Sequence, residues 1–129
     1  MLEQINKTVT ELKNLSGSTD LVTKLKLAEE LAAESYYLSE MVAVAYENMN
    51  TAEYFWKSVI STAIAKTTGP VSKAEAVAKD THKNLYKEYL DADSRHKKLY
   101  LLLSATNTLI EQARQSCSFL KQEYRNHGA

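Results

Sequence analysis

The run Leu85-Tyr86-Lys87-Glu88-Tyr89-Leu90-Asp91-Ala92-Asp93-Ser94-Arg95-His96-Lys97-Lys98-Leu99 decides the fold of this chain. Leu85, Tyr89, Ala92, His96 and Leu99 recur at alternating gaps of four and three residues, the spacing that keeps one side of an α-helix against a partner helix. The phase starts at His82 and continues through Leu103, Thr106, Ile110, Ala113, Cys117 and Leu120 to Tyr124. Upstream, Ala28, Leu31, Ser35, Leu38, Val42, Ala45, Met49, Ala52, Trp56, Val59 and Ala63 repeat in the same way. Between the two seams stands Thr67-Thr68-Gly69-Pro70, a chain reversal.

The pattern predicts an all-α chain of one domain. It is a long antiparallel helical hairpin, coiled-coil-like, with a short N-terminal helix, and oligomeric. Leu2, Ile5, Val9 and Leu12 set a first helix over about 2–15, and Ser16-Gly17-Ser18-Thr19-Asp20 supplies a glycine stop followed by N-caps. A long helix follows over about 20–66. Asn50-Thr51-Ala52-Glu53 has the form of a capping box, yet the apolar phase passes through it unshifted, so the helix reads as continuous. A turn at 67–71 leads to a second long helix over about 72–126, which the capping box Ser72-Lys73-Ala74-Glu75 opens. A tight turn at Gly69 would bring Trp56 beside Lys83 and Val42 beside the stretch from His96 to Leu99. Two helices and a short arm bury little core, and Leu25, Ala32, Tyr36, Tyr46, Tyr86, Leu102 and Leu109 widen the apolar stripe, so a homo-oligomer is expected.

Composition agrees with this class: 129 residues hold three Gly and one Pro, with 25% charged and 44% hydrophobic residues. Leu99 to Leu103, an uninterrupted apolar run, is far below the roughly 20 residues that span a bilayer. No membrane association is expected, Met1 to Leu15 has no apolar export core, and the expected location is cytoplasmic, in the host cell if the chain is phage-encoded. Cys117, the single cysteine, falls in the apolar register and reads as a buried small hydrophobe.

Enzyme signatures are scarce, and the chain reads as non-enzymatic with no cofactor or metal. His82 and His96 stand roughly 21 Å apart along a helix, too far for one metal ion. Asp93 and His96 at i, i+3 have no second such pair, and Glu30 with Glu34 is an ordinary helix-face pair. Charge is segregated. Residues 1–56 hold four Lys or Arg against nine Asp or Glu, and residues 57–98 hold nine against five. Lys57, Lys66, Lys73, Lys79, Lys83 and Lys87 flank the turn, with Tyr54, Phe55, Trp56, Tyr86 and Tyr89 nearby. Two readings stand side by side: a solvated lysine face over a core of aromatics, or a site where lysines neutralise phosphates and aromatics stack on unpaired bases.

Leu90-Asp91-Ala92-Asp93, Leu99-Tyr100-Leu101-Leu102-Leu103, Leu109-Ile110 and Ser116-Cys117-Ser118-Phe119-Leu120-Lys121 follow one another in an order and spacing that resembles the C-terminal helix of the small helical recombination mediator proteins of phages, the UvsY-like family. The likeness covers roughly residues 35–125, with the basic, aromatic-bearing helix and its turn. The resemblance implies an oligomer that binds single-stranded DNA and helps load a recombinase in the presence of a single-strand binding protein, without hydrolysing nucleotide. The turn-proximal lysines named above are its expected DNA contacts. The alternative is a helical scaffold or adaptor that organises protein assemblies without nucleic acid, and a third reading is a subunit of a helical enzyme assembly.

Overall fold

The computed structural model describes residues 2–15 and 20–127, with side chains described for 2–15, 20–118 and Arg125. The proposed stop and caps at Ser16 to Thr19, and the seam side chains of Leu120 and Tyr124, lie outside the described residues. The described chain is all-helical: α1 spans Leu2–Asn14, α2 Leu21–Lys66, α3 Val71–Thr81 and α4 Lys83–His127. It divides into two compact units, one of residues 1–41 with 100–129, the other of residues 42–99.

Asp20 caps α2. The Thr23 amide donates to Asp20 Oδ1 at 3.1 Å and the Thr23 hydroxyl to Oδ2 at 2.6 Å, satisfying one of the free amides of the first turn. These two bonds, the hydroxyl's first, hold the Asp20 carboxyl below the usual aspartate range. α2 then runs unbroken through Asn50 to Glu53, as the apolar phase requires. It ends where Thr67 N–H turns back to the Ile64 carbonyl at 3.2 Å, and Gly69 adopts φ 114°, a left-handed conformation that side chains resist.

Downstream of this turn the structure departs from the sequence reading. The Ser72 capping box does not form: Pro70 occupies the cap position, makes no side-chain cap bond, and Ser72 already lies within the first turn of α3. Pro70, with φ −62° and ψ 135°, supplies the non-helical cap geometry one residue before Val71, and its carbonyl receives the Ala74 amide at 3.1 Å. The single helix expected over 72–126 is two helices, separated at His82, whose φ of −108° and ψ of 27° leave the helical region. Ala74, Ala78, His82 and Leu85 follow at gaps of four, four and three, so the alternation slips by one residue where α3 gives way to α4.

In the unit of residues 42–99, α3 is a third wall. Trp56, Ile60 and Ala78 are buried together, with Ala63, Ile64, Leu85 and Tyr89 packed against them. Ala74 and Ala78 carry only methyl groups, which lets the α3 backbone approach the indole closely. α2 and α4 run antiparallel here: the Trp56 and Tyr86 rings lie 4.8 Å apart and the Tyr46 and His96 rings 5.3 Å apart. Trp56 thus sits one turn beyond the expected Lys83, because the whole of residues 67–82, and not a tight turn at Gly69, connects the two helices.

In the other unit α1 is the covering helix. Ile5, Thr8 and Leu12 are buried, along with Leu27, Ala28, Leu31 and Leu38 of α2 and Thr106, Ile110, Ala113 and Cys117 of α4. α2 and α4 are again antiparallel, with Arg114 Nη2 3.2 Å from Glu29 Oε1 and Lys24 Nζ donating to Ser116 Oγ at 3.4 Å. Lys24 is only 3% exposed; it stands three residues after Leu21 and four before Ala28, on the apolar phase although it is a lysine. The Thr8 hydroxyl lies 3.0 Å from the Gln4 carbonyl and 3.1 Å from Glu34 Oε1, and its one proton serves a single acceptor at a time. Glu34 Oε2 and Thr106 Oγ1 are buried without a partner among the described residues.

Two outcomes follow for stability. Leu31→Ala leaves a hole in a fully buried position and is expected to cost about 2–5 kcal/mol, whereas Thr106→Val removes an unpartnered hydroxyl at nearly constant volume and is expected to raise the thermal midpoint, both read by calorimetry. Because the Asp20 carboxyl is held below its unfolded value, its capping contribution is fully present above the ordinary aspartate range and is lost as pH falls from that range through the lowered folded value. The Thr23 amide should therefore exchange with solvent faster, relative to mid-α2 amides and after correction for intrinsic rates, as the acid limit is approached, and Asp20→Ala should abolish that dependence.

Candidate nucleic-acid interface

All six lysines expected at the interface lie in the unit of residues 42–99 and are exposed, but they do not share one face. Lys57 and Lys66 stand nine residues apart on α2, which at about 100° per residue puts them on opposite sides of the helix. Lys73 and Lys79 are similarly splayed on α3. Lys83 and Lys87, four apart at the start of α4, do lie on one face, and continuing that stripe by eleven residues reaches Lys98. Lys98 was missed in the sequence reading, although its spacing from Lys87 would have revealed it.

Carboxylates further divide the set. Glu53 holds Lys57 at 2.5 Å and Glu75 holds Lys79 at 2.7 Å, each pair at i, i+4 on its own helix. The hydrogen bond to the carboxylate, then its charge, raises the pKa of each lysine above the usual range. Lys97 is held in the same way by Asp93 at 2.8 Å. Lys66, Lys73, Lys83, Lys87 and Lys98 make no ion pair among the described residues. A polyanion meets these five without displacing a carboxylate.

The aromatics separate in the same manner. Trp56 is 8% exposed and belongs to the core, so it cannot stack on a base from solution. Tyr89 is half-buried beside it. Tyr86 is 42% exposed, stands between Lys83 and Lys87 in the sequence of α4, and packs its ring on Trp56 at 4.8 Å. On the outward side of α2, Tyr54 lies in a shallow groove of about 640 Å³ with Asn50, Glu53, Lys57, Ser58, Ser61 and Thr62. Lys66 and His82 line a second depression of about 390 Å³ with Ser58, Val59, Thr62 and Ala63.

The other candidate groups are engaged elsewhere. Asp93 pairs with Lys97, and His96 packs on the Tyr46 ring. Glu34 bonds Thr8, while Glu30 is exposed. Among the described residues no three His, Cys, Asp or Glu side chains gather in a way that would hold a metal ion, and no helix is long and apolar enough to cross a membrane. No protein-family model, no curated protein and no solved structure matches this chain.

If carboxylate pairing withholds Lys79 from a polyanion, Glu75→Gln should strengthen the binding of a single-stranded oligonucleotide a few-fold at low salt, with the gain vanishing at high salt. Fluorescence anisotropy with labelled oligo-dT reads this, and an unchanged affinity would show that Lys79 lies off the contact surface.

Proposed function

We propose that this chain is a non-enzymatic accessory protein of recombination that self-associates, binds single-stranded DNA and helps load a recombinase in the presence of a single-strand binding protein. The reading rests on the likeness of α4 to the UvsY-like mediators and, physically, on one observation. Lys83, Lys87 and Lys98 lie exposed along one face of α4 and make no ion pair among the described residues, although Asp91 shares that face, and Tyr86, 42% exposed, stands beside them. Lysines spaced along a helix neutralise successive phosphates, and an adjacent ring offers a base a stacking surface without regard to sequence. Lys66 and Lys73, also unpaired, extend the positive surface toward the turn. In this reading the protein acts in the cytoplasm, of the infected cell if phage-encoded, and α2 pairs with α4 within each unit in coiled-coil fashion.

The test is binding to oligo-dT across a salt series. Lys83→Glu with Lys87→Glu should weaken binding at least about tenfold at low salt and flatten the salt dependence, because two phosphate contacts are lost. Lys57→Glu should do less, since Glu53 already neutralises that lysine. A parent chain that shows no shift at any salt would remove nucleic acid from its function.

The second reading, a helical scaffold or adaptor, is favoured by a different observation. Val44, Phe55, Val71 and Val77 are each more than half exposed in the unit of residues 42–99, more apolar surface than a lone nucleic-acid binder requires. A protein captured through these side chains by a chain that does not bind oligonucleotide would establish it.

A further inference from the structure

Where α1, α2 and α4 meet in the unit of residues 1–41 and 100–129, the packing leaves a cavity of about 150 Å³ lined by Leu12, Lys24, Leu109, Gln112, Ala113 and Ser116. Each helix reaches it through its own spacing. Leu12 is the last buried residue of α1, and Lys24 stands on the apolar phase of α2 between Leu21 and Ala28. Leu109, Gln112, Ala113 and Ser116 follow at gaps of three, one and three, which puts all four on one face of α4. Leu12 and Ala113 are buried, Leu109 and Ser116 half-buried and Gln112 exposed, so the cavity is closed toward the core and reaches solvent at Gln112.

Its polar lining is one-sided. Lys24 brings a positive charge at 3% exposure, Ser116 a hydroxyl and Gln112 a carboxamide, and no Asp or Glu is among the described residues that line the cavity. Leu12, Leu109 and Ala113 supply the apolar part. The Lys24 ammonium donates to Ser116 Oγ at 3.4 Å, longer than the roughly 2.7–3.2 Å that such bonds prefer, so an anionic oxygen that comes closer is the better acceptor. One cation, further donors and apolar sides together match a ligand with one negative charge on a compact apolar body. Size narrows the class. A cavity of about this volume holds a benzene ring, whereas a doubly charged oxyanion would leave the apolar side chains uncovered and its second charge without a counterpart in the lining.

We propose that this cavity binds a small monocarboxylate with an aromatic or branched aliphatic body, its carboxylate held by Lys24 Nζ, Ser116 and Gln112 and its body lying against Leu12, Leu109 and Ala113. Because α1 supplies part of the wall, the bound acid ties α1 to the pair of α2 and α4 and stabilises this unit as it fills. None of the six residues belongs to the nucleic-acid interface, so this site and the function proposed above stand or fall separately.

Titration of the full chain with benzoate at neutral pH, followed through the backbone amides by NMR, tests it. Benzoate is expected to move the amides of Leu12, Gln112 and Ser116 along saturating curves, with a dissociation constant on the order of 1 mM or below, which is within reach of so small a ligand. Benzyl alcohol, with the ring but no charge, and inorganic phosphate, with charge but no ring, should each bind at least about tenfold more weakly. Lys24→Met keeps most of the apolar stem and removes the charge, and should lower benzoate affinity more than about tenfold while leaving benzyl alcohol within about twofold. Ser116→Leu fills the cavity from a half-buried position without altering Lys24 and should abolish benzoate binding in a chain that circular dichroism shows folded, so the site is tested even where Lys24→Met unfolds the protein. Amides that do not saturate at benzoate concentrations well above that constant, phosphate or benzyl alcohol bound as tightly as benzoate, or a folded variant that binds benzoate like the parent would each overturn the proposal.

Discussion

A helix of 46 residues such as α2 presents more apolar surface than a single partner helix covers, and in each unit a short third helix closes the difference. α1 does so with Ile5, Thr8 and Leu12, α3 with Ala74 and Ala78. The solutions are chemically distinct. Alanine methyls in α3 allow close backbone approach to Trp56, whereas α1 brings larger side chains and, through Thr8, a polar contact into the interior. Both leave one side of each long helix open, and it is on those open sides that charge is sorted.

Which charges are available to a partner is settled by local pairing more than by their number. Glu53, Glu75 and Asp93 each reach one turn along their own helix to hold a lysine, and those lysines already have an anion. Exposed pairs of this kind contribute little to stability, because water screens them and two flexible side chains must be ordered to form them. Their consequence here is selective: they engage Lys57, Lys79 and Lys97 and leave Lys83, Lys87 and Lys98 of α4 outside any ion pair among the described residues.

Buried polar groups mark where the interior is less well resolved energetically. Lys24 at 3% exposure and the unpartnered Glu34 and Thr106 oxygens all lie in the unit that α1 covers. An apolar layer of the same shape would avoid the desolvation these groups incur. Thr8 ties Glu34 to α1, since its hydroxyl lies 3.1 Å from Glu34 Oε1.

Much of this was legible beforehand. Alternating gaps of three and four residues, read together with the reversal at Gly69 and Pro70, determined an all-α chain, the extent of α2 and the burial of Cys117, because each depends on neighbours within one or two turns. The i, i+4 lysine pairs and the opposed directions of Lys57 and Lys66 were also present in the spacing, though the six lysines were first grouped by their nearness to the turn. Tertiary structure alone decided the rest. The break at His82 leaves only a one-residue slip in the apolar spacing, and it is the docking of Ala78 on Trp56 that shows it as a separate helix, and with it the shift that brings Trp56 to Tyr86. The orphaned oxygens of Glu34 and Thr106 likewise depend on which side chains of distant helices meet, and periodicity records which face of a helix is apolar, not what comes to cover it.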